Sequence, residues 1–451
     1  MRSFDVVVVG AGPAGEVAAG RLAEKGLNVA IVEDRLVGGE CSFWACMPSK
    51  ALLRPYEALA EVKRIPGAAE AVTGGLDVPA VLKRRDEVIH DLSDDAQLPW
   101  LEDRHITLVR GHGRLTGERR VTVGDEVLEA RRAVILATGS APKVPPIPGL
   151  QEFDCAWTNR DATVAKAVPE RLVVLGGGVV GVELSQAFQT LGSQVTLIEG
   201  ARRLIPNEEE FACVQLTAAL REYGVDIRTA QKAERITPND DGSVTVTTTD
   251  GSEAVGDKVL VALGRTPLTS DLGLEVVGLT PGELVKVDAH NRVPGRDWLY
   301  AIGDINGKAL FTHMGKYQAR VTADCILGHS HVIAHGADGK LSPRVIFTEP
   351  QVAAVGHTEQ SAREAGLEIE IVETSTSGNA GGSFYGRNAP GTTRWIVDRE
   401  RRIVVGCTIT GAEVADFLHA ATIAIVGEVP LERLRHAVPS FPTRSEIWLK
   451  L

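Results

Sequence analysis

Cys41 and Cys46 stand five residues apart in the run Gly38-Gly39-Glu40-Cys41-Ser42-Phe43-Trp44-Ala45-Cys46-Met47-Pro48-Ser49-Lys50. Two cysteines at this spacing can be a redox dithiol, half of a metal site or a pair of structural thiols. A second ligand cluster at zinc-like spacing is missing from the chain, so no metal is expected. On a regular helix, residues five apart lie about 7.5 Å apart along the axis and point in different directions. A disulfide needs its Cα atoms within about 7 Å, so a redox pair here requires a break in regular structure. Gly38 and Gly39 free the backbone, and Pro48 removes an amide donor from a first helical turn. The residues therefore predict a loop running into a helix that starts near Pro48.

A dithiol needs a source of electrons, and the flanking elements supply candidates. Phe4 to Val9 reads as a buried parallel strand feeding Gly10-Ala11-Gly12-Pro13-Ala14-Gly15, then an amphipathic helix to about Lys25, then a second strand from Asn28 ending in Glu33. Gly10 permits the tight turn, Gly12 lets backbone approach a pyrophosphate, Gly15 allows close helix packing, and Glu33 can accept from ribose hydroxyls. The unit recurs: Leu172 to Leu175 is followed by Gly176, Gly178 and Gly181, a helix, and the strand Gln194 to Ile198 ending in Glu199. In both copies the first glycine and the acid are 23 residues apart. Two such units imply two dinucleotides, one a bound redox cofactor and the other exchangeable. Apolar strands ending at Thr138-Gly139 and at Gly264 follow the two units and are expected to run back to the two nucleotide lobes.

The chain has 451 residues, 44% apolar and 24% charged, which suits two to four domains with substantial cores. A formal charge of −11 disfavours nucleic acid or an anionic membrane as main partner. The apolar run at Val6 to Val9 is too short for a signal peptide, and no uncharged stretch has the length of a membrane span, so no membrane insertion is expected. A cytoplasmic protein follows as the expectation, with Cys155, Cys213, Cys325 and Cys407 as reduced, buried or half-buried thiols.

With these residues in view, the chain resembles the flavoprotein disulfide reductases of the pyridine nucleotide type, the family of dihydrolipoamide dehydrogenase, glutathione reductase and mercuric reductase. The resemblance spans nearly the whole length. Gly38-Gly39-x-Cys41 through Cys46-x-Pro48-Ser49-Lys50 is similar to the family's redox-active disulfide motif, Ala301-Ile302-Gly303-Asp304 to its second flavin motif, and Pro343 to Gly356 to the start of its dimerisation domain. It implies an α/β fold of two Rossmann-like dinucleotide-binding domains, for FAD and NAD(P), with a C-terminal α+β dimerisation domain. The implied segments are 1–149 and 268–340 for FAD, 150–267 for the nicotinamide dinucleotide and 341–451 for the interface of a homodimer. It further implies FAD contacts from Gly10, Gly12, Pro13, Ala14, Gly15, Glu33, Gly39, Cys41, Lys50, Gly113, Thr138, Gly139 and Asp304. For NAD(P) it implies Gly176, Gly178, Val179, Val180, Gly181, Glu183, Glu199 and Gly264. The implied relay takes electrons from the nicotinamide through the flavin to Cys46, the thiol nearer the flavin, with Cys41 exchanging with substrate; Lys50 pairs with Glu183. Glu199 suits the two free hydroxyls of NAD and repels a 2′-phosphate, which favours NAD(H) over NADP(H), although Arg202 and Arg203 follow closely.

The pattern breaks near the C-terminus. Thiol-reducing members of the family carry a histidine immediately before Pro-Thr and a glutamate three residues after the Thr. Here the segment reads Ser440-Phe441-Pro442-Thr443-Arg444-Ser445-Glu446: the glutamate is kept as a catalytic candidate, and phenylalanine takes the place of the histidine. A phenyl ring transfers no proton, and general acid–base help is commonly worth about 10² to 10⁴ in rate. His436 is a remote substitute. Phe43 and Trp44 put aromatic bulk between the cysteines, readable as packing against the neighbouring subunit or as an apolar wall for a flat or hydrophobic acceptor. Mercuric reductase is disfavoured, since the chain ends Trp448-Leu449-Lys450-Leu451, with no terminal cysteine pair. The expectation is an FAD- and NAD(P)H-dependent oxidoreductase whose acceptor is a small-molecule disulfide, a quinone or another electrophile. A flavin-bound redox sensor without turnover is the non-enzymatic alternative.

Overall fold

The structure, a computed structural model, describes residues 1–329, 332–386, 389 and 391–451. The chain folds into two compact units: Met1–Pro48, Asp86–Pro142 and Arg265–Ala334 form the first, and Ser49–Arg85, Lys143–Gly264 and His335–Leu451 the second.

The first unit is built on one sheet, in the order Thr107–Arg110, Val29–Glu33, Arg2–Val9, Glu126–Leu136, Arg120–Val123, Gly113–Gly117, with Leu299–Ala301 also paired to Glu126–Leu136. Its centre is parallel: Val6 to Val9 register against Val29 to Val32 on one side and Ala133 to Leu136 on the other. Val6, Val7 and Val8 are wholly buried, as expected for a strand covered on both faces. The helix Pro13–Ala23 starts with Pro13, where no intrahelical donor is needed. It packs on the helix Thr312–Ile326, with Gly315 against Ala14 so closely that an added Cβ would stand 3.2 Å from the Ala14 Cβ. The chain leaves this unit along Ser140–Pro142 and returns along Arg265–Pro267, and these two strands pair antiparallel.

The second unit repeats the design in a five-stranded parallel sheet, ordered Asp226–Thr229, Gln194–Glu199, Arg171–Leu175, Lys258–Val261, Ala156–Trp157. A separate antiparallel sheet carries the C-terminal part, ordered Arg344–Ile346, Gln351–Gly356, Ile403–Gly411, Thr392–Asp398, Ile369–Ser375. Every residue of Ile403–Gly411 is buried: Val404, Cys407 and Ile409 pack with Trp395, helix His419–Val426 and the Arg444–Lys450 turn, while Ile403 and Val405 pack with Ala362, Ile369 and Ile396. This is the mixed α/β and α+β architecture that the sequence implied. Among the described residues, no helix is long and apolar enough to cross a membrane.

Candidate active site

The cysteine segment breaks where the spacing demanded. Gly38 and Gly39 adopt φ of 108° and 61°, conformations that suit glycine. A short helix, Gly39–Phe43, ends at Trp44 with φ −134° and ψ 0°, and a second helix, Cys46–Arg64, begins at once. The helix thus starts two residues earlier than the proline suggested: Pro48 lies inside its first turn, where a missing N–H costs nothing. Each thiol belongs to a different helix, which removes the i, i+5 obstacle. Both are half-buried thiols, and the Cys41 thiol is held far above its ordinary range, first by its hydrogen bond with Cys46 and then by burial. Thr312, at the start of its helix, shares a hydrogen bond with Cys46 (Sγ to Oγ1, 3.5 Å) and lowers the Cys41 thiol. Phe43 is only 1% exposed, with its ring against Gly38, so it is core and offers no wall to an acceptor. Trp44 is half-buried at its side, ring centroids 5.7 Å apart.

The two glycine turns match bond for bond. Gly10 N donates to Val32 O (2.8 Å) and Gly176 N to Ile198 O (2.8 Å); Ala137 N donates to Val9 O (2.7 Å) and Ala262 N to Leu175 O (2.8 Å). A Cβ on Gly10 would strike Ala137 O, and one on Gly176 would strike Ala262 O; Gly15 and Gly181 press on Gly10 O and Gly176 O. By contrast, Gly12 and Gly178 have open space where a Cβ would be. Each caps a helix whose first amides receive no side-chain cap, which leaves an open, amide-lined cradle at a positive helix end. The acids complete the match: Glu33 accepts from Ala11 N (2.8 Å) and Arg35 N (2.9 Å), and Glu199 from Gly177 N (2.5 Å) and Ala201 N (2.5 Å). Glu33 titrates above the usual carboxylate range because it is buried. Val179 and Val180, 40% and 37% exposed, stand at the mouth of the second cradle. Gly264, at φ 109° with open space beside it, accepts from Lys143 N (2.9 Å).

Around the first cradle, Gly113 fits only because an added Cβ would stand 3.0 Å from both Val9 and Val32. Thr138 donates to Leu268 O (2.9 Å), and Gly139 O accepts from Leu268 N (3.0 Å). Asp304 accepts from Ser140 Oγ (2.5 Å), while Arg265 bonds Ser140 (Nε to Oγ, 2.6 Å) and lies 3.5 Å from Glu40. The residues present fit a flavin dinucleotide: open amide cradle, acid at the second strand end, and a polar Asp304 cluster within the same unit. Ser140, Arg265, Thr312 and Lys316 are additions the sequence did not offer. Their one signal is the placement of Thr312 eight residues beyond Asp304, at a helix start.

In the second unit Lys50 Nζ meets Glu183 Oε2 at 2.6 Å, and the other Glu183 oxygen accepts from Phe347 N (2.9 Å). Glu183 is buried, whereas the Lys50 side chain is 33% exposed and lies over the Phe347 ring at 4.7 Å. At the C-terminus Phe441 is 76% exposed. Glu446 lies in the Arg444–Lys450 turn with its Oε2 buried and without a hydrogen-bond partner among the described residues. His436 is exposed on the chain just after helix Leu431–Leu434.

Two dinucleotide-type turns and a dithiol on one chain define a nucleotide-fed thiol oxidoreductase. The chain belongs to the pyridine nucleotide-disulphide oxidoreductases: residues 4–324 match that family's model and residues 342–451 its dimerisation domain. It is 33% identical to dihydrolipoyl dehydrogenase of Thermus scotoductus, covering 99% of this chain and 96% of the relative. It is 28% identical to mercuric reductase of Staphylococcus aureus, covering 98% of this chain and 81% of the relative. Among solved structures, the Cu(II) complex of the HOCl-induced flavoprotein disulfide reductase RclA from Escherichia coli superposes with TM-score 0.87 at 25% identity, over 100% of this chain and 99% of RclA. LpdA from Mycobacterium tuberculosis shares the fold at TM-score 0.87 and 24% identity, over 100% of this chain and 99% of LpdA. The protein is thus an NAD(P)H-dependent flavoprotein oxidoreductase of the FAD-containing disulfide reductase family, and its C-terminal part is of the kind through which that family self-associates.

Proposed function

We propose that the protein draws electrons from NADH and passes them through Cys41 and Cys46 to a small-molecule disulfide. The carrying observation is the broken helix that gives each thiol its own helix, with Thr312 bonded to Cys46 and acting on Cys41 as well. FAD, when bound, supplies a two-electron carrier that links hydride chemistry at a nicotinamide to thiol chemistry. Gly10, Gly12, Pro13, Ala14, Gly15, Glu33, Gly39, Gly113, Thr138, Gly139, Asp304 and Lys50 would hold it. Gly176, Gly178, Val179, Val180, Gly181, Glu183, Glu199 and Gly264 would hold the nicotinamide dinucleotide, and Glu199 disfavours a 2′-phosphate. Two electrons and one proton convert the Cys41–Cys46 disulfide to one thiol and one thiolate. Cys41 then attacks the substrate disulfide as a thiolate, the first half leaves with the bond's electron pair, and Cys46 attacks Cys41 to release the second half and restore the disulfide; the one proton held by the pair and one from water go to the two departing thiolates. Segments 1–149 and 268–340 serve FAD in this reading, 150–267 the nicotinamide, and 341–451 a homodimer interface; the setting is cytoplasmic.

A second reading is favoured by the C-terminal segment: exposed Phe441 offers no proton and Glu446 Oε2 has no hydrogen-bond partner among the described residues. Electrons would then go directly to a quinone or similar electrophile, which needs no histidine acid because water can supply the protons. NADH oxidation by the native chain and by Cys46→Ser, with lipoamide, glutathione disulfide, menadione and Cu(II) as acceptors, distinguishes the two. Cu(II) joins the panel because RclA was solved with it. Disulfide turnover abolished by the substitution supports the first reading. Quinone turnover that survives it, with every disulfide inert, replaces the first reading by the second. Inertness to all acceptors with reversible two-electron reduction of the pair leaves a sensor.

A further inference from the structure

The helix Thr312–Ile326 carries more than Thr312 toward the dithiol. Thr312, Lys316 and Arg320 follow one another at four-residue spacing, so they form one row along the helix, about 6 Å per step. The row begins at the thiols: Thr312 is bonded to Cys46, and the charge of Lys316 acts on the Cys41 thiol. Lys316 and Arg320 are exposed, and neither forms an ion pair among the described residues; Arg320 rests over the Tyr317 ring at 5.8 Å. Carboxylates on this helix and on the packed helix Pro13–Ala23 do not cancel the row. Asp324 is taken by Arg21 (2.7 Å), and Glu24, just past the second helix, by Arg104 (2.9 Å). Glu16 faces Lys316, whose charge pulls it down, but burial outweighs that and pushes it up to about 7, so near neutrality it carries only part of a charge. On a chain of formal charge −11, two cations outside any ion pair among the described residues lead from a dithiol and run against the overall field.

We propose that the disulfide exchanged at Cys41 is an anionic one, and that Lys316 is the residue that selects it. The inference rests on the disulfide reading of the Cys41–Cys46 pair given above. Lys316 serves two needs together. Its ammonium draws a carboxylate-bearing disulfide toward the dithiol, and it stabilises the negative charge that appears when the first half departs as a thiolate. In a chain with Phe441 where an acid would stand, that charge has no proton donor at this position, so the Lys316 cation, one helical turn beyond Thr312, becomes the available stabiliser.

The test compares two substrates with the same dithiolane ring and different charge, lipoate and lipoamide, in NADH-driven turnover by the FAD-loaded protein. Lipoate should exceed lipoamide in kcat/KM by about tenfold at low ionic strength, mostly through KM, and the ratio should shrink toward one at about 0.5 M salt. Lys316→Gln should bring the ratio to within about twofold, Lys316→Arg should keep most of it, and Lys25→Gln, at the far end of the helix Pro13–Ala23, should leave it unchanged. A native ratio near one, or a preference that persists in Lys316→Gln, overturns the assignment of Lys316 while disulfide reduction stands. If neither substrate nor glutathione disulfide oxidises the reduced Cys41–Cys46 pair on mixing, the disulfide reading falls and the inference with it.

Discussion

Replacing Lys50 by methionine isolates what the Lys50–Glu183 pair does for stability. The substitution keeps the stem and deletes the ammonium, so Glu183 Oε2 loses its 2.6 Å partner while Oε1 keeps Phe347 N. Breaking a fully buried pair costs about 3–5 kcal/mol because one charge is left without solvent or partner. Glu183 is 4% exposed but Lys50 is 33% exposed, so water reaches part of the vacated site and the cost falls below that range, to about 2–3 kcal/mol. Loss of the cation above the Phe347 ring adds roughly 0.5 kcal/mol. The expected total of about 3 kcal/mol is a change of roughly 10²-fold in the folded-to-unfolded ratio. Urea unfolding at fixed pH and saturating FAD, followed by tryptophan fluorescence, should show a lower midpoint at unchanged slope. Lys50→Met/Glu183→Leu should recover most of the loss, to within about 1 kcal/mol of the native protein, since an apolar pair carries no unmatched charge. A Lys50→Met protein within about 0.5 kcal/mol of native, or a double variant as unstable as the single one, refutes this reasoning.

Glu16 gives a pH signature. Its carboxyl is raised from 4.5 to about 7, chiefly by burial, so between these values the unfolded chain ionises while the folded one stays neutral. Stability from this group is therefore intact below about pH 4.5, is lost progressively up to about 7 and is fully lost above it, a difference of about 3 kcal/mol. Glu16→Gln should flatten that slope and raise the urea midpoint at pH 8; an unchanged slope counts against a buried, neutral Glu16. Glu199→Gln should shift the NADH-to-NADPH ratio of kcat/KM toward NADPH by about tenfold, with Arg202 left to meet the 2′-phosphate. A ratio that does not move removes Glu199 from the selection of nicotinamide.

Both nucleotide turns were legible in the residues because their constraints are local. Gly10 and Gly176 need positive φ, Gly15 and Gly181 need an absent Cβ, and Glu33 and Glu199 stand at strand ends set by the same 23-residue spacing. A constraint that acts within one strand, turn and helix leaves its mark on consecutive residue types. The break between Cys41 and Cys46 was legible for the same reason. The helix start was displaced by two residues because proline is equally acceptable anywhere among the first-turn amides that lack a partner. Phe43 illustrates a different limit: an aromatic residue beside a reactive pair reads as an acceptor wall or as packing against a neighbouring subunit, and only the structure buries it within its own chain against Gly38. Phe441 needed no structure to deny a proton donor at its position, since that is a property of the side chain.

What tertiary structure alone decided is the company each reactive group keeps. Thr312 and Lys316 come to Cys46 and Cys41 from about 270 residues away, through a helix whose approach depends on Gly315 seating against Ala14. Ser140 and Arg265 reach Asp304 because the chain leaves and re-enters the first unit along paired strands. No local spacing encodes such meetings, because they are set by how sheet and helices pack in three dimensions. The sequence by itself therefore determined which chemistry the chain carries, two dinucleotides and a dithiol, while only the packed structure surrounded that dithiol with the hydroxyl and the cation that tune it.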